Sequence, residues 1–289
     1  MRRIISFCLW GDAPLYNVGA IRNAELAEVY FPEWVCQFYL GDDVPTETIQ
    51  ALSKFDNSEV IMMSEHENNW QGMFWRFYPI ALNTDVEYVI PRDTDCRLGE
   101  REKQAVDVWI NSGKTMHIMR DHPLHTHPMM GGMWGCNVQK FFHMLKDRQV
   151  PNNGTMEKLI NDWLVYSKEV TDGVRQVPNS KQRLHPDEYN KKGIDQEFLR
   201  FIYGMLGADD VFVHDSFPHY NAFGGHHPEE KVSGQIPSVG FPMPFVNGPH
   251  EFVGQDWDEN DVPTETSWKA IQDTYDCIFS WINGYRGNS

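Results

Sequence analysis

Short apolar runs alternate with amphipathic stretches through the first half of the chain. Ile4–Leu9, Val35–Leu40, Glu59–Ser64, Glu87–Arg92 and Thr115–Arg120 read as strands. Between them, Val18–Tyr30, Thr46–Phe55, Gln71–Leu82 and Glu100–Ser112 read as helices, with Pro32 closing the first and Pro79 kinking or ending the third. Strands alternating with helices predict an α/β fold with a mostly parallel central sheet and helices on both faces. The second half is less regular. Asn137–Arg148, Thr155–Ser167, Ile194–Leu206 and Thr264–Asn283 read as helices and Asp210–Asp215 as a strand, while Pro178–Lys192 reads as a polar loop. Phe217 to Val262 is thick with Gly, Pro, His and aromatic residues, which predicts a long structured loop over a site. No repeat, linker or low-complexity tract divides the chain, so one domain is expected, its C-terminal region capping the sheet.

The predicted strands run into polar residues: Gly11-Asp12, Gly41-Asp42-Asp43, Ser64-Glu65, Asp93-Thr94-Asp95 and Arg120-Asp121. Ligands of open α/β sheets bind outside the carboxyl ends of the strands. Of these ends, Asp93-Thr94-Asp95 carries the most chemistry. If the chain stays extended there, side chains two apart point to one side, and both carboxylates face one point. Two hard oxygen ligands at an open sheet edge suit a divalent cation with positions left for a phosphorylated ligand. A surface turn paired to Arg92 and Arg97 fits the same spacing. A second such triplet, Asp256-Trp257-Asp258, lies in a polar Gly/Pro-rich context and reads as a solvated turn.

Composition narrows the class. The 289 residues carry a formal charge of −16, which argues against a nucleic-acid polymer as partner, since that needs a basic face. A nucleotide ligand stays open, because a bound cation reverses the local field. Five widely spaced cysteines without a CxxC pattern point to a reducing compartment, hence the cytoplasm, rather than to a disulfide framework. Met1 to Trp10 reads as a first strand rather than a signal peptide, and no run is long enough to span a membrane.

Residues 92–135, from Arg92-Asp93-Thr94-Asp95-Cys96-Arg97 through His117-Ile118-Met119-Arg120-Asp121-His122 to Gly131-Gly132-Met133-Trp134-Gly135, resemble glycosyltransferases of the GT-A fold. They are similar in particular to a small group associated with bacterial polysaccharides and the glycans of large algal viruses. The resemblance implies a sugar-nucleotide donor, a glycan acceptor and a divalent metal, manganese or magnesium, held by the Asp93/Asp95 pair. It also implies that Gly131, Gly132 and Trp134 line the sugar, with a nucleotide-sugar half at 1–135 and an acceptor half at 136–289. Asp195-Gln196-Glu197 resembles the acidic helix start of such enzymes. Val213-His214-Asp215 resembles the strand end that supplies a late metal ligand, which makes His214 the first candidate, with His219, His226, His227 and His250 as competitors.

Ser6, Trp10 and Tyr16 flank the first strand's end, where GT-A enzymes seat the nucleoside. Arg76, in an apolar segment, wants a phosphate or Asp93 as partner, and Arg92 stands beside the acidic pair. Inverting transfer needs a carboxylate to take the acceptor proton, with Asp121 and Asp195 as candidates; retaining transfer needs none. His117, His122, His125 and His127 match no familiar zinc spacing, and a substrate-lining loop is expected there. Two rivals remain. A nucleotidyltransferase would want a basic glycine-rich loop after the first strand, which Gly11 to Leu15 does not provide. A non-catalytic carbohydrate-binding protein would account for the aromatics and the acidic charge.

Overall fold

The computed structural model describes residues 1–63, 70–122, 125, 127–174, 192–216, 236–243 and 252–264. Among the described residues eight strands form one sheet in the order β3-β2-β1-β4-β6-β5-β7-β8. They are β1 (Arg2–Leu9), β2 (Val35–Leu40), β3 (Ser58–Met62), β4 (Val86–Pro91), β5 (Met116–Arg120), β6 (Trp134–Asn137), β7 (Val211–Asp215) and β8 (Ser238–Val239). The helices are α1 (Pro14–Tyr30), α2 (Thr46–Leu52), α3 (Glu100–Ser112), α4 (Val138–Asp147), α5 (Met156–Thr171) and α6 (Ile194–Tyr203), with a 3-10 helix at Trp70–Phe77. All strand pairs are parallel except those β6 makes with β4 and β5. The fold is therefore α/β with a mixed, mostly parallel sheet.

Alternation along the central strands feeds two cores. Ile4 and Val89 pack beneath the 3-10 helix, α4, α5 and α6. Ile5, Phe7, Leu9, Tyr88 and Ile90 pack against α1 and α3 on the other face. Period-two alternation in strands that are buried on both faces explains their near-continuous apolar composition.

Three expectations are corrected. Gln71–Leu82 is not an α-helix, because Pro79 has no N–H to donate. Tyr78 N–H and Ile80 N–H instead donate three residues back, to Trp75 and Phe77. Trp134 and Gly135, expected in a sugar-lining loop, and Asn137, expected to open a helix, belong instead to β6, a four-residue strand too short to signal itself. Asn137 ends that strand and caps α4, its side chain accepting from Lys140 N–H at 3.1 Å. The short strand β8 was also not anticipated. The expected helix at Thr264–Asn283 lies outside the described residues apart from Thr264, as do Ser64-Glu65, most of Pro178–Lys192, and His219, His226, His227 and His250. Among the described residues no helix is long and apolar enough to cross a membrane.

Candidate active site

From β1 the chain moves outward through β2 to β3, then returns to the other side of β1 as β4. The carboxyl ends of β1 and β4 thus flank a topological switch point, the place where open α/β sheets bind ligands. A cavity of about 310 Å³ opens there, its lining including Trp10, Tyr16, Trp70, Arg76, Asp93, Asp95 and Lys192. Pro14 starts α1 directly after the loop and so brings Tyr16 into the wall. Trp10 meets Trp70 and Trp75 edge to face, with centroids 6.2 and 6.0 Å apart. Ser6 does not reach this wall. Strand β1 runs on to Leu9, leaving Ser6 buried in its interior with its hydroxyl unpartnered and its carbonyl accepting from Arg92 N–H at 2.8 Å.

The chain turns at Thr94 and Asp95 instead of staying extended, so the two carboxylates part company. Asp93 pairs with the buried guanidinium of Arg76, whose Nη2 donates to Asp195 Oδ2 at 2.7 Å. Asp195 sits in the first turn of α6, wholly buried, with its Oδ1 unpartnered. Burial raises its pKa, opposed chiefly by Arg76. Gly131 and Gly132 close over this triad. A side-chain carbon on Gly131 would overlap Arg76 and Asp195, and one on Gly132 would overlap the Asp93 carboxylate. The glycines are therefore required for close approach to a charge network.

Asp95 has other company. Donor atoms of Asp95, Cys96 and Asp256 all lie within 4.8 Å of one another. Asp256 belongs to a strap, residues 252–264, pinned at several points. Trp257 N–H donates to the Asp95 carbonyl at 2.9 Å, and Val253 N–H to Asp121 Oδ2 at 2.8 Å. Arg97 and Arg22 both hold Asp261, at 3.0 and 2.7 Å. The reading of Asp256-Trp257-Asp258 as a solvated turn is thus half right. Asp258 accepts from Asn260 and Val262 N–H groups as a turn residue should, whereas Asp256 faces the Asp95 carboxylate. Burial, then the charges of Asp93 and Asp256, push Asp95 up to about 7. Negative charge is crowded here, eased for Asp95 by Arg76 and for Asp256 by Lys192.

Other expected site residues do structural work. Arg92 is buried against Glu102 and donates to the Trp134 carbonyl at 2.7 Å. Trp134 is core, its ring 5.2 Å from Phe77 and its indole N–H donating to the Gly131 carbonyl. Asp121 is a clasp. It accepts from both Arg101 Nε and Nη2, at 2.7 and 2.6 Å, and from the Ser216 hydroxyl and the Val253 N–H. Neither Asp121 nor Asp195 lines the cavity at the switch point. His214 is not gathered with the carboxylates; its Nδ1 lies 2.8 Å from His117 Nε2. His117 in turn stacks on Trp109.

This imidazole pair has a pH signature. Burial holds His117 well below the ordinary histidine value and His214 down at about 4. Unfolded histidines titrate near 6.5, so below that pH the unfolded chain binds more protons and stability falls with pH. His117→Gln should be less stable than the natural chain at pH 7.5. That gap should narrow, by up to about 1.4 kcal/mol per pH unit, as urea midpoints are followed from pH 6.5 towards 4. A gap independent of pH would show the pair to titrate normally.

A second cavity, about 250 Å³, lies beyond Asp93 and is lined by Cys96, His122, His125, Phe252 and Asp256. His122 lies against Phe252, with centroids 4.6 Å apart, and His125 accepts from Asp121 N–H. Asp93 is common to both cavities. Of the histidines in the expected substrate-lining loop, His122 and His125 line this cavity, and no three histidines converge among the described residues.

No protein-family model matches the chain, and no curated protein matches it. Among solved structures it is similar to the galactosyltransferase LgtC in complex with donor and acceptor sugar analogs. The identity is 14%, over 94% of each chain, with a TM-score of 0.44. An active-site mutant of LgtC gives 14% identity over 85% of this chain and 88% of that one, with a TM-score of 0.45. The mannosyltransferase PcManGT from Pyrobaculum calidifontis, in complex with GDP-Man and manganese, gives 10% over 53% and 47%, with a TM-score of 0.38.

Proposed function

We propose that the chain is a GT-A-type glycosyltransferase that moves a sugar from a nucleoside diphosphate donor to a glycan hydroxyl with the help of a divalent cation. The observation that carries this reading is the meeting of Asp95, which lines the switch-point cavity, with Asp256, which lines the adjoining second cavity. Their donor set fits a divalent cation, because it brings two mutually repelling carboxylates to one place as hard oxygen ligands. Bound there, manganese or magnesium supplies Lewis-acid stabilisation of the negative charge that builds on a departing diphosphate.

The rest of the reaction falls to the chain's own side chains. Trp10 and Tyr16 offer aromatic surface to a nucleobase. Arg76 holds Asp93 in one orientation at the boundary between the cavities, where the Asp93 carboxylate accepts a hydrogen bond from a hydroxyl of the transferred sugar. The second cavity takes the acceptor, with His122 and His125 as polar handles beside the apolar face of Phe252.

Thermal unfolding tests the reading. Nucleoside diphosphates of different bases should raise the melting temperature only when manganese is present, by about 2.7 kcal/mol of added stability at 100 times Kd. Stabilisation that survives chelator would remove the cation from the site. Turnover of a nucleoside triphosphate would favour the nucleotidyltransferase, and glycan binding without nucleotide binding would favour a lectin-like protein.

A further inference from the structure

We propose that the cation site is a mixed oxygen–sulfur site, with the Cys96 thiolate joining Asp95 and Asp256, so that it takes borderline-soft divalent ions such as zinc, cadmium and cobalt. The inference builds on the cation reading above and adds a ligand and a metal preference to it. Three observations support it. The Cys96 sulfur is one of the three donor atoms lying within 4.8 Å of one another. Tetrahedral coordination, with oxygen at about 2.1 Å and sulfur at about 2.3 Å from the ion, separates ligand atoms by about 3.5 Å. The group therefore closes on an ion by a contraction of the order of an ångström.

Second, Cys96 lines the second cavity together with Asp256 and Asp93, so an ion can reach it. The thiols of Cys36 and Cys136 are buried in the sheet's cores instead. Third, the ligands come from two pinned segments. Asp95 and Cys96 are consecutive in the turn after β4, and Asp256 is fixed by the backbone bond from Trp257 to Asp95. A thiolate selects softer ions than carboxylates do, and magnesium, which prefers oxygen, gains nothing from it. Binding replaces the thiol proton with the metal–sulfur bond and releases that proton to solvent.

Cobalt titration of the purified chain provides the test. A cobalt ion bound through sulfur shows a thiolate-to-metal charge-transfer band in the near ultraviolet, and one bound through oxygen alone does not. The natural chain should show the band, and Cys8→Ser should keep it. Cys96→Ser and Cys96→Ala should both lose it, with cadmium affinity measured by calorimetry falling at least about tenfold and magnesium affinity little changed. Zinc binding tighter than manganese decides nothing, since almost any site of this kind orders the two that way. Cobalt bound without the band, a band surviving both Cys96 replacements, or an unchanged cadmium affinity would each overturn the mixed site while leaving the carboxylate site standing. Failure of manganese, cobalt and cadmium alike to bind the natural chain would overturn the cation reading as well.

Discussion

Replacing Asp256 by alanine is expected to lower cation-dependent sugar transfer by about 10²- to 10³-fold, the scale of losing one preorganised charge-stabilising group. Asp256 does not hold the fold together, which makes the prediction sharp. Its side chain is exposed, yet its pKa is raised by partial desolvation and then by the charge of Asp93, against Lys192, so its ionised carboxylate is repelled by its neighbours in the absence of a cation. Removing it relieves that repulsion. In cation-free buffer Asp256→Ala should therefore melt at or slightly above the temperature of the natural chain, while the manganese-induced rise should vanish. Asp258→Ala provides the contrast. It removes an acceptor of two backbone N–H groups in the strap's turn, so it should loosen the turn yet retain cation binding. Equal activity loss in the two variants would mean that the strap matters only as a structural brace.

The largest effect on stability should come from Arg76→Met. Arg76 is 2% exposed and bridges Asp93 to Asp195, which is fully buried. Removing one partner of a buried pair leaves an uncompensated charge, at a cost of about 3–5 kcal/mol. That is a large part of the roughly 5–15 kcal/mol that holds a typical domain folded. Urea unfolding should show the midpoint falling accordingly. Adding Asp195→Asn to Arg76→Met should recover part of the loss, because the buried charge is then gone, and the two changes should fail to add. Arg76→Lys should fall between the natural chain and Arg76→Met, since an ammonium lacks the planar fork that reaches two carboxylates. A loss below about 1 kcal/mol would mean that the network is solvated rather than buried.

Much of the fold was legible because local physics decides it. The runs at Ile4–Leu9, Val35–Leu40 and Glu87–Arg92 are apolar on both faces, and only a strand covered by helices on both sides buries such a run. The 3-10 helix was read as an α-helix because its aromatic residues recur at helical spacing; the missing N–H of Pro79 outweighed that pattern. Strand β6 escaped notice because four residues with a glycine among them carry little periodicity. Its place is set by the gap between β4 and β5 that it fills.

The site divides along the same line. Asp95, Trp10 and Tyr16, which line the switch-point cavity, were legible as candidates because each lies within a few residues beyond a strand's end. Asp256 was in view as part of a second Asp-x-Asp, and the apolar Phe252-Val253 just before it was a signal that the segment is anchored rather than solvated. His214 failed as an expected ligand for the opposite reason. It stands near a strand end, but its ring meets the imidazole of His117 on the neighbouring strand.

By itself the sequence determined the alternating architecture, the edge of the sheet at which chemistry gathers, and one carboxylate of the proposed cation site. These depend on periodicity and on residues close together in the chain. Only the tertiary structure decided that Asp93 turns to Arg76 while Asp95 turns to Cys96 and Asp256. That choice is made by a turn, two glycines in contact with charged groups, and a strap from the far end of the chain, and contacts between such distant segments leave no local pattern to read.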